Sequence, residues 1–89
     1  MSRPTRVGNL LRTYRALHKL TWQQVAGTIG HSSTYVHDVA SGRRRVTPAT
    51  AMRYARALGE DVEHWMACAL DDSLDPLRET EALITDPAD

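Results

Sequence analysis

The sequence predicts an all-α fold: a five-helix domain over residues 1–70 and a short acidic C-terminal tail over residues 71–89. Two observations carry this reading. Apolar residues recur at helical spacing in five stretches, and these are punctuated by capping residues, prolines and glycines. The chain has 89 residues and 42% apolar content, which suffices for one small helical core and a tail.

The first helix begins between Pro4 and Gly8, after a loose arm over residues 1–5. Val7, Leu10, Leu11, Tyr14 and Leu17 fall at helical spacing and are expected to face the core. Gly8 weakens any helix that includes it by about 1 kcal/mol, which leaves the start open.

The stretch from Thr21 to Gly42, TWQQVAGTIGHSSTYVHDVASG, reads as two short helices joined by a tight turn. Thr21 is an N-cap with Gln24 closing a capping box, and Leu20 and Val25 form a hydrophobic staple. Val25, Ala26 and Ile29 make the apolar face of helix two. Gly30 lets the chain turn, and Ser32 caps helix three, whose buried side is Val36 and Val39. The remaining face of helix three carries Ser33, Thr34, His37 and Asp38, and Arg43, Arg44 and Arg45 follow it at once. A short helix with hydrogen-bonding groups on its open face, followed by clustered arginines, is the pattern of a helix-turn-helix that enters the DNA major groove.

Thr47 caps helix four and Pro48 takes its first position, where a missing N–H is harmless. Ala51, Met52, Ala55 and Leu58 form its apolar stripe, with Tyr54 beside it, and Gly59 ends it. Helix five follows Asp61, with Asp61 and Glu63 at the positive end of its dipole. Its apolar residues, including Trp65, Met66 and Ala69, exceed what one small bundle needs, so part of this face is expected to be a homodimer interface. In the tail, Leu77, Leu83 and Ile84 fit either a short docked helix or a segment disordered in isolation.

Zero formal net charge conceals a strong asymmetry. Residues 1–59 hold ten basic side chains against Asp38 alone, and residues 60–89 hold ten acidic ones against Arg78 alone. The basic block coincides with the helix-turn-helix, which favours double-stranded DNA as partner. Cys68 is the single cysteine, so no intramolecular disulfide forms. No apolar run reaches membrane-spanning length, and the N-terminus lacks a signal-peptide apolar region. A cytoplasmic, nucleoid-associated protein is expected, with no membrane partner. His64 and Cys68 lie four apart, but nothing completes a tetrahedral set, so no metal and no cofactor is expected. There is no nucleophile elbow, phosphate loop or paired-carboxylate site, hence no catalytic residue and no enzyme.

LTWQQVAGTIGHSSTYVHDVASGRRR followed by ATAMRYARALG resembles the helix-turn-helix of Cro and lambda-repressor-class regulators, the XRE type. The resemblance implies a lambda-repressor-like DNA-binding domain. By position it puts Ser33, Thr34 and Asp38 at base edges: the hydroxyl and methyl of Thr34 suit thymine, and Asp38 either accepts from cytosine N4 or orients a neighbouring donor. Gln23, Gln24, Tyr35, His37 and Ser41 are further candidate DNA contacts, and Arg43, Arg44 and Arg45 are candidate phosphate contacts. Two departures stand out. The glutamate that partners the helix-one arginine, here Arg15, is replaced by Ala40, so Arg15 is left to Glu60, a phosphate or solvent. The glutamine opening helix two is replaced by Trp22, read as packing rather than donating its indole N–H to phosphate. Thr47–Trp65 is similar, more narrowly, to HigA-type antitoxins.

Together these imply a sequence-specific transcriptional regulator, an autoregulatory dimeric repressor on a palindromic operator. The alternatives are a HigA-type antitoxin that also neutralises a basic ribonuclease toxin, and a phage regulator without a toxin.

Overall fold

The computed structural model describes residues 4–74. Most of the expected N-terminal arm, and the chain from residue 75 with Leu77, Leu83 and Ile84, lie outside the described residues. Five helices are present: α1 (Arg6–His18), α2 (Trp22–Ile29), α3 (Ser33–Ser41), α4 (Pro48–Leu58) and α5 (Val62–Ser73), with no strand among the described residues.

Each helix is set by its ends. Thr5, Thr21, Ser32, Thr47 and Asp61 are the N-caps, and each side chain accepts a backbone N–H three residues on. Around Thr21 the capping box is complete: Gln24 N donates to Thr21 Oγ1, and Thr21 N donates to Gln24 Oε1. Gly30 and Gly42 stop α2 and α3 in the left-handed region, at φ 90° and 86°. Lys19 closes α1 at φ 53° with no help from glycine, and its N–H donates back to the end of the helix.

The helices pack as α1 on α3 and α5, α2 on α3 and α4, and α4 on α5. Val7, Leu11, Val25, Ala26, Val36, Val39, Ala51, Tyr54, Ala55 and Trp65 fill the space between them. Gly8 belongs to this packing. A Cβ there would lie 2.8 Å from the Ala40 carbonyl oxygen and 2.9 Å from that of Val39, so α1 crosses α3 backbone to backbone.

Three expectations change. Leu17 is 75% exposed rather than in the core, because it falls in the last turn of α1, past the crossing with α3. Tyr54 is fully buried and is core rather than a flank. Trp65 and Ala69, expected at a dimer interface, are each 1% exposed and are consumed by the domain's own core. The large apolar side chains exposed at the end of α5 are Leu70 and the C-cap Leu74, with Met66 half-buried one turn before Leu70.

The line drawn after residue 70 falls inside α5, which continues to Ser73. Asp72, from the acidic run, is buried: its carboxylate accepts from Arg6 N (2.9 Å) and Val7 N (3.2 Å), the first free N–H groups of α1.

Candidate nucleic-acid interface

Two helix N-termini and one loop converge on a single open concavity. Thr21, Trp22 and Gln23 come from the start of α2; Ser33, Thr34, His37 and Asp38 from α3; and Arg43 from the segment after it. The tight turn at Gly30 brings them together by folding α3 across α2, and the buried Val36 and Val39 turn the opposite face of α3 outward. Thr34 and His37 are exposed, and Ser33 and Asp38 half-exposed. Hydroxyls, an imidazole, a carboxylate and a guanidinium thus share one surface of a helix short enough to lie in a groove.

Charge on this surface is organised locally. Arg43 Nη1 lies 3.9 Å from Asp38 Oδ1, so the one acidic group of the basic block is held beside a cation. Arg43 N and Arg44 N both donate to the Asp38 carbonyl, fixing the segment to the end of α3. The Arg44 guanidinium lies over the Tyr35 ring, 4.7 Å from its centroid. Tyr35 also stacks on His31 at 4.5 Å, and His31 meets the buried Tyr54 edge-on.

The remaining expected site residues are placed differently. Gln24 is exposed, but its side-chain oxygen is occupied by the capping box. Ser41 donates its hydroxyl to the Asp38 carbonyl at 3.1 Å. Tyr35 lies outside the concavity, against His31 and Arg44. Arg45 departs from the expectation of a phosphate contact. It is 6% exposed, and its Nη1 donates to the Asp72 carbonyl at the end of α5. The run of three arginines hides this, because consecutive residues leaving a helix point in different directions.

Trp22, expected to pack rather than to meet phosphate, lines the concavity. It is half-buried, with His37 edge-on at 6.0 Å and the Arg15 guanidinium over its ring at 5.0 Å. On α5, His64 and Cys68 touch, Nε2 to Sγ 3.9 Å. Burial, reinforced by Asp72 and Asp71, holds the Cys68 thiol above its ordinary range.

The helix-turn-helix family model HTH_3 matches residues 11–65, from α1 into α5. The crystal structure of the clp gene regulator ClgR from C. glutamicum superposes with a TM-score of 0.60 at 26% sequence identity, over 79% of this chain and 90% of that one. No functionally curated protein matches the chain.

Proposed function

Since the chain belongs to the helix-turn-helix family of DNA-binding transcriptional regulators, we propose that it acts as a homodimeric repressor of a palindromic operator, its own promoter included. The observation that carries the reading is the concavity shared by the starts of α2 and α3, lined by Gln23, Ser33, Thr34, His37, Asp38 and Arg43. α3 enters the major groove with Ser33 and Thr34 leading, and Asp38 meets bases one turn deeper. Arg43 and Arg44 neutralise phosphates flanking the groove, and Gln23 at the positive end of α2 faces the backbone on the other side. The reading implies a cytoplasmic, nucleoid-bound protein.

One such helix reads few base pairs, so two copies related by a two-fold axis are required, with half-sites about 34–36 Å apart or a multiple. Leu70 and Leu74, one turn apart and exposed at the end of α5, offer an apolar surface for the contact. Selection of bound duplexes from random sequence tests the whole reading. The expected result is an inverted repeat at that spacing; no enrichment, or a single asymmetric half-site bound by a monomer, overturns it.

A second reading, a HigA-type antitoxin, is favoured by the same exposed Leu70 and Leu74 lying beside Asp71. A basic toxin would cover the leucines and pair with carboxylates. Co-purification with the product of a neighbouring gene, lost in L70D/L74D, separates it from simple repression.

A further inference from the structure

Three consecutive arginines follow α3, and each is held by a different group. Arg43 is beside Asp38, Arg44 lies over Tyr35, and Arg45 runs inward to the carbonyl of Asp72. Asp72 therefore serves two elements at once. Its carboxylate takes the Arg6 and Val7 N–H groups that open α1, and its carbonyl takes Arg45. Both side chains are buried, Asp72 at 4% and Arg45 at 6% exposure, so solvent competes little with the buried bonds from Val7 N and Arg45; the bond from Arg6 N is part-buried. The segment between α3 and α4 is thus tied at two ends. Its start is bonded to the Asp38 carbonyl, and Arg45 and Val46 are buried at its end.

The geometry points to Arg45 and Asp72 as positioning residues for DNA binding, a role that rests on the reading above. Neither touches DNA. Together they lock the end of α5, the start of α1 and the segment after α3 into one block, and that block sets where Arg43 and Arg44 present their guanidinium groups. The end of α5 thereby acts on phosphate contacts that it does not make.

The test is a double-mutant cycle, with each variant shown by its melting curve to be fully folded at the assay temperature. Affinity and its salt dependence are measured for a duplex selected from random sequence by the wild-type chain. R45M is expected to bind about tenfold more weakly, with a smaller salt slope, whereas in an R43A/R44A background the same change has little further effect. R45K, which keeps a donor of similar reach, restores part of the loss. D72N, which keeps the backbone carbonyl that Arg45 meets and weakens only the carboxylate's hold on Arg6 N and Val7 N, tests the other half of the block in the same R43A/R44A background and stands in if R45M does not fold. Losses that add to those of R43A/R44A overturn the assignment, since Arg45 would then act independently of its neighbours. Unchanged affinity in both R45M and D72N overturns it too. Failure of the wild-type chain to select any duplex, or an R43A/R44A variant that keeps the full salt slope, strikes the underlying reading instead.

Discussion

The guanidinium of Arg15 in α1 lies over the indole of Trp22 at the start of α2, 5.0 Å from the ring centroid. The two departures from the pattern of related regulators are thereby joined. Where the resemblance implies a carboxylate partner for Arg15, this chain has Ala40, and Trp22 supplies an aromatic face. The contact covers the guanidinium on one side and leaves the buried Arg15 Nε without a hydrogen-bond partner among the described residues. A partly desolvated contact of this kind contributes about 0.5–2 kcal/mol. R15M, W22L and the double variant, unfolded by urea, are expected to show a coupling of that size. Additive losses would mean that the ring and the cation are merely neighbours.

Gly8 provides a second prediction, with a built-in contrast. Helix propensity alone says that alanine should stabilise α1 by about 1 kcal/mol. The space says otherwise: a Cβ would lie 2.7 Å from Thr5 Oγ1 and under 3 Å from the carbonyl oxygens of Val39 and Ala40. Backbone atoms of α3 yield only if the two helices separate, and overpacking of that kind costs about 1–3 kcal/mol. G8A is therefore expected to lower the urea midpoint. Gly27, also inside a helix, has nothing within 4 Å of its would-be Cβ. G27A is expected to raise stability by about 0.5–1 kcal/mol. If both variants shift the same way, the close crossing of α1 on α3 is not what holds Gly8.

These cases show which parts of the molecule its sequence discloses. Thr21 with Gln24, Ser32, Thr47 with Pro48, Asp61 and the three terminal glycines act within a turn of themselves, so their roles are legible from spacing. The exposed face of α3 is legible for the same reason, because the buried Val36 and Val39 fix which way it looks. What escapes is contact across the chain. Asp72 caps a helix that begins 66 residues earlier, and nothing in an acidic run marks one carboxylate as buried. Gly8 reads as a weak helix former until α3 is seen against it. Arg45 reads like Arg43 and Arg44 until Asp72 is in place beside it.

Asp72 should therefore weigh on stability more than its neighbours. D72A leaves the Arg6 and Val7 N–H groups without their carboxylate, and an unsatisfied buried donor costs about 1–3 kcal/mol. D71A, removing an exposed side chain whose contact with Arg6 is long at 3.9 Å, is expected to change stability by less than about 0.5 kcal/mol. Denaturant unfolding of the two variants side by side checks this; equal losses would mean that α1 is held by Thr5 alone. For the same reason, removing residues 71–89 does not isolate the effect of the acidic tail, because Asp72 goes with it.

Cys68 gives the pH prediction. Burial first, then the nearby Asp72 and Asp71, favour its thiol over its thiolate. A group whose proton is held more tightly in the folded state stabilises that state below its unfolded pKa and loses the advantage as pH rises through the folded one. Stability is expected to fall on the alkaline side of the ordinary thiol range, more in the wild type than in C68S. Alkylation of the folded chain should lag that of a free thiol until higher pH. A thiol that reacts at the free rate near neutrality would show that the helix does not shield it.

The sharpest test of the interface lies on α3. Thr34 is exposed at the opening turn of the helix, and its hydroxyl and methyl suit a thymine edge; Asp38 follows one turn later and suits cytosine N4. Asp38 differs from Thr34 in one respect: Arg43 lies 3.9 Å from its carboxylate. Replacing Thr34 by valine keeps the methyl groups and removes the hydroxyl. It is expected to alter preference at one base pair per half-site, at about 1–3 kcal/mol, and to leave the salt slope unchanged. Replacing Asp38 by asparagine should alter preference at a different base pair. Because it also frees Arg43 from its carboxylate, it should in addition raise affinity for all sequences at low salt, with a steeper salt dependence. Selection from random sequence with each variant, followed by affinity measurements at two or more salt concentrations, distinguishes these outcomes. Two variants that weaken every sequence alike, with no change of preferred base, would make Thr34 and Asp38 structural residues and move base reading elsewhere on α3.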